Sequence, residues 1–237
     1  MEKTAAFFDF DGTLFQGHIW QGVVRHHITY KQKLASVSTY LGTHIPLWLM
    51  SKCKLLSEEY YKRKWAEDLS TTLGGLEEKE GLKIFRWITD NYVTKSLRQD
   101  IIALLQQHKE QGHIVILLSA TFNDLLQIIG KKVGVLHTVG TKLEVIKDKY
   151  TGKIVEPLCL GANKAKLLKE FISQAQLNID FPSSFAYGDS IFDTTTLEMV
   201  GNPVAVYPDR KLLNLAQQRG WQIIGSPGSS PANKQAR

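Results

Sequence analysis

Ala5-Ala6-Phe7-Phe8 runs directly into Asp9-Phe10-Asp11-Gly12-Thr13-Leu14, and this stretch constrains the fold more than any other. An apolar run without polar alternation predicts a short strand buried on both faces. Such a strand needs helices above and below a mostly parallel sheet. Gly12-Thr13 then lets the chain turn sharply. Extended residues two apart point the same way, so Asp9 and Asp11 leave together from the carboxyl end of the strand. Open α/β sheets bind their ligands at that end. Adjacent carboxylates repel and call for a cation or a shared proton. For Asp-x-Asp alone, an acidic strand-to-turn junction is the plainer reading. The flanking aromatics and the Gly-Thr pair weigh against it.

The chain has 237 residues, room for one α/β core and a modest insertion. Hydrophobic content of 43% and charged content of 22% are ordinary for a globular protein. Cys53 and Cys159 stand far apart, which predicts neither a disulfide framework nor a zinc site and suggests buried or inert thiols. The first strand begins by residue 5 with no signal-like segment before it, so the expectation is cytoplasmic.

From Gly17 to about Asn91 the apolar spacing is helical throughout. After Leu97, helices alternate with the runs around Ile114-Val115-Ile116-Leu117-Leu118, Phe185-Ala186-Tyr187 and Val204-Ala205-Val206. Residues 141–157 read as a hairpin turning at Thr151-Gly152. The division that follows is core at 1–15, a helical cap at 16–94, core again at 95–224, and a Ser/Pro/Gly-rich disordered tail at 225–237.

Net charge is +6, and between Gln16 and Lys64 eight basic residues face only Glu58 and Glu59. No nucleic-acid module accompanies them, so no nucleic-acid partner is expected. The apolar region from Leu34 to Leu56 is broken by Gly42 and Pro46 and is too interrupted to span a bilayer. A pair of buried or substrate-lining helices is the favoured reading. An amphipathic element in peripheral contact with an anionic membrane is the other.

Three further clusters carry chemistry. Ser119-Ala120-Thr121 closes the second strand before a helix. A hydroxyl and turn N–H groups there can hold a phosphoryl oxygen, although Ser-x-Thr in this position is more often only an N-cap. Lys164 opens a helix, where a lysine is unfavourable unless an anion lies before it; a surface lysine is the plain alternative. Tyr187-Gly188-Asp189-Ser190-Ile191-Phe192-Asp193 ends a third strand, with Asp189 and Asp193 able to converge. Four carboxylates gathered at one sheet edge imply a hard, oxygen-liganded ion, Mg²⁺.

Phe8-Asp9-Phe10-Asp11-Gly12-Thr13, Ser119, Lys164 and Gly188-Asp189-Ser190-Ile191-Phe192-Asp193 together resemble, in order, the four motifs of the haloacid dehalogenase (HAD) superfamily. The resemblance implies a Rossmann-like core in which Asp9 is the nucleophile and Asp11 the general acid and base. It places Ser119, the Ala120 backbone and Lys164 on the phosphoryl group, and Mg²⁺ on Asp9, Asp189 and the Asp11 backbone carbonyl. Gly12 and Asp193 have supporting roles. The insertion straight after the first motif is similar to the phosphoserine phosphatase-like branch, subfamily IB.

That branch implies a phosphomonoesterase working through an aspartyl-phosphate. Its phosphoserine-hydrolysing members carry a cap glutamate soon after the first motif, whereas here Phe15-Gln16-Gly17-His18 follows and no acid occurs before Glu58. Phosphoserine is therefore disfavoured, unless Glu58 or Glu59 substitutes. His18 is a candidate substrate contact. The substrate is read as a small or lipid-linked phosphate monoester. A soluble-metabolite phosphatase, a phosphotransferase and a non-catalytic binding module on the same scaffold stay open, as does oligomeric state.

Overall fold

The computed structural model describes residues 2–226. The apolar runs form β1 (Ala5–Phe8), β2 (Ile114–Phe122), β3 (His137–Ile146), β4 (Lys149–Val155), β5 (Phe185–Gly188), β6 (Asn202–Val206) and β7 (Gln222–Ile224). They make one sheet in the order β4-β3-β2-β1-β5-β6-β7. Pairing is parallel everywhere except between β3 and β4. Strand order runs outward from β1 on one side and resumes with β5 on the other. The carboxyl end of β1 is therefore the switch point where a ligand crevice forms.

Period-two alternation divides the core. Ala6 and Phe8 face one apolar cluster with Leu117 and Tyr187, and Ala5 and Phe7 face another with Ile116 and Ala186. Phe8 stacks on Tyr187 with ring centroids 4.3 Å apart. Burying each phenylalanine is worth about 2–3 kcal/mol, which holds the strand that ends at Asp9.

Between β1 and β2 lie α1 (Ile19–Thr29), α2 (Leu34–Lys52), α3 (Glu58–Asp68), α4 (Glu78–Ile88) and α5 (Gln99–Glu110). Ser57 caps α3 by accepting from the Tyr60 N–H, and Glu77 with Glu80 forms a capping box on α4. Beyond β2 come α6 (Asn123–Val133), α7 (Ala162–Gln174), the single turn α8 (Thr194–Leu197) and α9 (Arg210–Arg219). α5 and α6 cover the Phe8 face, while α7 and α9 cover the Phe7 face.

Two expectations are corrected. Most of the Leu34-to-Leu56 region is one long helix, α2, ending at Lys52, not a buried pair. Gly42 and Pro46 lie within it, and only Val37, Tyr40 and His44 are buried. Among the described residues nothing lies within 4 Å of a Cβ built on Gly42, and Pro46, on the exposed part of the helix, costs one backbone hydrogen bond and a ring clash with the carbonyl four residues back without ending the helix. The hairpin turn falls at Lys147-Asp148, both at positive φ, and not at Thr151-Gly152. Gly152 lies inside β4 at φ +85, and a Cβ there would sit 3.3 Å from the Gly74 Cα. Its glycine marks a close backbone crossing. β7 is too short to show a pattern. Cys159 is buried as expected, but Cys53 is exposed. Of the expected tail at 225–237, residues 227–237 lie outside the described residues.

Two buried histidines give the fold a pH dependence. His27 is fully buried, and neither ring nitrogen has a hydrogen-bonding partner among the described residues. Burial pushes it from 6.5 down to about 4, with His26 and Lys33 adding to the effect. His108 meets Tyr187 Oη at 2.7 Å and His113 Nδ1 at 2.8 Å, and burial lowers it to about 4 as well. The unfolded chain binds these protons first as pH falls, so stability present above pH 6.5 is lost toward pH 4. His27→Leu should flatten that slope and raise stability at pH 5 by about 1–2 kcal/mol. Urea unfolding across the window checks this, and an unchanged slope would contradict it.

Candidate active site

Asp9 follows the last residue of β1, and its N–H donates to the Tyr187 carbonyl at 2.9 Å. Gly12 turns at φ +90, and a Cβ there would lie 2.2 Å from Asp189 Oδ2. Only glycine lets the two acidic loops meet. Ser119 sits within β2, which runs to Phe122 and carries a register irregularity between Leu118 and Phe122. Such a bulge re-aims side chains at a strand end. Ser119 is thus no helix cap; its Oγ accepts from the Thr121 N–H at 3.1 Å.

Lys164, in the first turn of α7, is buried rather than on the surface. Its Nζ donates to Asp9 Oδ1 at 2.5 Å and to Asp193 Oδ1 at 2.6 Å. Asp193 also accepts from the Ser190 N–H at 3.0 Å. Asp209, the N-cap of α9, accepts from Ser190 Oγ and the Ile191 N–H. The last β-strand loops are therefore clamped to the Asp189 turn.

Burial dominates the electrostatics. It lifts Asp11 to about 8, helped by the charge of Asp9 and opposed by hydrogen bonds from the Ile19 N–H and Thr121. It lifts Asp9 to about 6, with Lys164 resisting and Asp193 adding to the rise. Asp189 is raised well above the usual carboxylate range by burial, then by Asp9 and Asp193. Burial alone would lower Lys164, but Asp193 and Asp9 outweigh it and hold the ammonium charged. A proton-carrying Asp11 beside an ionisable Asp9 is the division needed for an acid and a nucleophile.

A cavity of about 670 Å³ opens above these groups. Asp9, Asp11, Ser119, Ala120, Lys164, Asp189 and Asp193 all line it, as does His18, whose pKa is lowered by burial and then by Lys62. The helical insertion supplies Trp20, Ile45, Trp48, Tyr61, Lys62 and Trp65. Trp20 and Trp65 meet edge to face at 4.9 Å. Every carboxylate lining the cavity belongs to the sheet edge. Glu58, the first acid of the insertion, is tied to Lys62 at 3.0 Å and Lys211 at 2.7 Å.

Asp9, Asp189 and Asp193 each offer an oxygen within 4.8 Å of the others. Two buried carboxylates on one ammonium, with the half-buried Asp189 beside them, leave excess negative charge, and a hard divalent cation fits that donor set. Because Asp193 is engaged by Lys164 and Ser190, Asp9 and Asp189 have the freer oxygens.

Three residues escaped the sequence reading. Thr121 Oγ1 donates to Asp11 Oδ2 at 3.3 Å; its place two residues after Ser119 was the available signal. The buried Arg98 donates from Nε to the Gly12 carbonyl at 3.2 Å and from its N–H to the Leu14 carbonyl at 2.9 Å. Its guanidinium lies 3.8 Å from the Tyr207 ring centroid. Lys62 faces Ser190 Oγ at 3.5 Å and the Phe192 ring at 4.6 Å. Neither basic residue announced itself in sequence.

This sheet order, with carboxylates and an ammonium gathered at its switch point, defines a Rossmann-like core carrying an acidic site suited to a cation. The profile of the haloacid dehalogenase-like hydrolases matches residues 6–198, and the chain belongs to that family. It is 30% identical over 226 residues to phosphoserine phosphatase SerB1 of Mycobacterium tuberculosis, covering 92% of this chain and 70% of that one. A protein of unknown function from Bordetella pertussis Tohama I superposes with a TM-score of 0.81 at 23% identity, over 95% of this chain and 99% of the other. A phospho-aspartyl intermediate analogue of phosphoserine phosphatase superposes at 0.63 and 18% identity, over 97% and 96%. Among the described residues, no helix is long and apolar enough to cross a membrane.

Proposed function

We propose that the protein is a Mg²⁺-dependent phosphomonoesterase that works through an aspartyl-phosphate and accepts a small or lipid-linked phosphate monoester. The observation carrying this reading is the pairing of Asp9 and Asp11 on the floor of the cavity, with Lys164 on Asp9. Asp9 attacks phosphorus, forming a P–O bond as the bond to the leaving alkoxide breaks. Asp11, raised to about 8, delivers its proton to that alkoxide. Water then attacks the same phosphorus, Asp11 takes back a proton, and Asp9 is released with inorganic phosphate. Lys164, Ser119 and the Ala120 backbone hold phosphoryl oxygens. Asp9, Asp189 and the Asp11 carbonyl would hold Mg²⁺, which would supply charge neutralisation at the phosphoryl group. Residues 16–94 act as a cap that excludes water.

The cap side of the cavity is aromatic and carries Lys62 but no carboxylate. An ammonium-bearing leaving group finds no partner there, whereas an apolar one does. Phosphate release from phosphoserine, p-nitrophenyl phosphate and a short alkyl phosphate, with Mg²⁺ and with EDTA, tests this reading. Mg²⁺-dependent turnover with kcat/KM for the alkyl ester at least about tenfold above phosphoserine is expected. Preference for phosphoserine would sink the substrate assignment; no Mg²⁺-dependent release from any ester would sink the whole reading.

A further inference from the structure

Residues 12–57 contain no aspartate or glutamate, and they carry Arg25, Lys31, Lys33, Lys52 and Lys54. Within them, the second half of α2 and the turn after it leave Ile45, Trp48, Leu49, Met50 and Leu55 exposed, Leu55 by 74%. Ile45, Trp48, Leu49 and Lys52 recur at helical spacing and share one side of the helix. Ile45 and Trp48 also line the active-site cavity. The apolar stripe therefore starts inside the cavity and continues onto the surface.

We propose that this end of α2, with Lys52 and Lys54, docks on an anionic lipid bilayer and turns the cavity mouth toward it. Charge complementarity selects the occupant. Lys52 and Lys54 are exposed and take no part in any ion pair among the described residues. Glu58, the next acid along the chain, is held by Lys62 and Lys211, and the exposed Glu59 follows it, so two lysines and, among the described residues, one unpaired acid flank the stripe. Each lysine close to an anionic surface adds attraction, and a tryptophan–leucine stripe beside lysines suits the headgroup boundary. A second copy of this chain is a poor occupant, because joining two copies through this end of α2 would gather both lysine pairs in one interface, with no acid in residues 12–57 to offset them. Nucleic acid offers nothing to bury leucine, isoleucine and methionine against.

Resting on the phosphomonoesterase reading, the consequence for substrate is a phosphate monoester on an amphiphile resident in the bilayer. Its phosphate reaches Asp9 while its chain lies along Trp20 and Trp65 toward Trp48.

Flotation with phosphatidylglycerol-containing vesicles and with pure phosphatidylcholine vesicles tests the docking directly. Wild-type protein should float with the anionic vesicles and lose binding in high salt. The Leu49→Asp/Leu55→Asp and Lys52→Glu/Lys54→Glu pairs should each weaken flotation by about tenfold or more, while hydrolysis of p-nitrophenyl phosphate is unchanged. None of these four residues lines the cavity. Absent flotation of the wild type, or equal flotation of the variants, overturns the proposal. So does a dimer in sedimentation velocity that Leu49→Asp/Leu55→Asp disperses, since the stripe would then cover a second copy. Failure to hydrolyse p-nitrophenyl phosphate would count against the phosphatase reading and leave the flotation result to stand by itself.

Discussion

Asp9→Asn is expected to reduce Mg²⁺-dependent phosphate release by about 10⁵-fold while leaving the protein folded. The magnitude follows from removing a nucleophile that no neighbour can replace. Asp11 is the nearest alternative, but burial and the charge of Asp9 keep its proton on to about pH 8. Ser119 has its hydroxyl engaged by the Thr121 N–H. The substitution is nearly isosteric, and an asparagine oxygen still accepts from Lys164, so the 2.5 Å contact that orients residue 9 survives without its charge. Steady-state phosphate release and a urea midpoint, measured on the same preparation, check both halves. Residual activity within tenfold of wild type would remove Asp9 from the chemistry.

The candidate site was legible because its parts are short-range. Asp9, Asp11, Asp189 and Asp193 sit at the ends of apolar runs, and a run that short and that apolar has few other places to go than the middle of a sheet. Once the strands are parallel, their carboxyl ends share one edge, so residues 180 positions apart in sequence meet without further instruction. Lys164 was legible for a subtler reason. A lysine in the first turn of a helix is locally unfavourable, and Asp9 and Asp193 are the anions that reverse the balance.

What sequence hid was whatever depends on how the helical insertion sits over the sheet. Arg98 reaches Gly12 across 86 positions and Lys62 reaches Ser190 across 128, and no local pattern encodes either contact. α2 misled for a related reason. Its second half is as apolar as a core helix, so composition alone pointed inward. Burial is settled by what packs against a helix, and among the described residues Leu49 and Met50 stay about half exposed. The hairpin turn was misplaced because Gly152 serves a backbone crossing with Gly74, while Lys147 and Asp148 take the left-handed turn positions without glycine.

Lys164→Met separates the electrostatic role of the lysine from its volume. The variant keeps an unbranched chain in the buried site but strands Asp9 and Asp193 without their ammonium, with Asp189 close by. Breaking a buried pair in this way costs about 3–5 kcal/mol. The pH dependence has a definite sign. Asp9 already lies near 6 with Lys164 lowering it, so without the lysine it moves further above the 3.8 of an unperturbed carboxylate. A raised folded-state value gives stability that is present below pH 3.8 and lost as pH rises through 6 and beyond. The deficit of Lys164→Met, measured by urea unfolding in EDTA, should therefore be small near pH 4 and full above neutrality. Added Mg²⁺ should recover part of it, because a divalent cation on the same carboxylates replaces the missing charge. Turnover should fall by about 10²–10³-fold, the scale for losing one charged contact to a transition state. Equal stability of variant and wild type at pH 7, with no response to Mg²⁺, would show that these carboxylates do not share their charge with Lys164 in the way their distances imply.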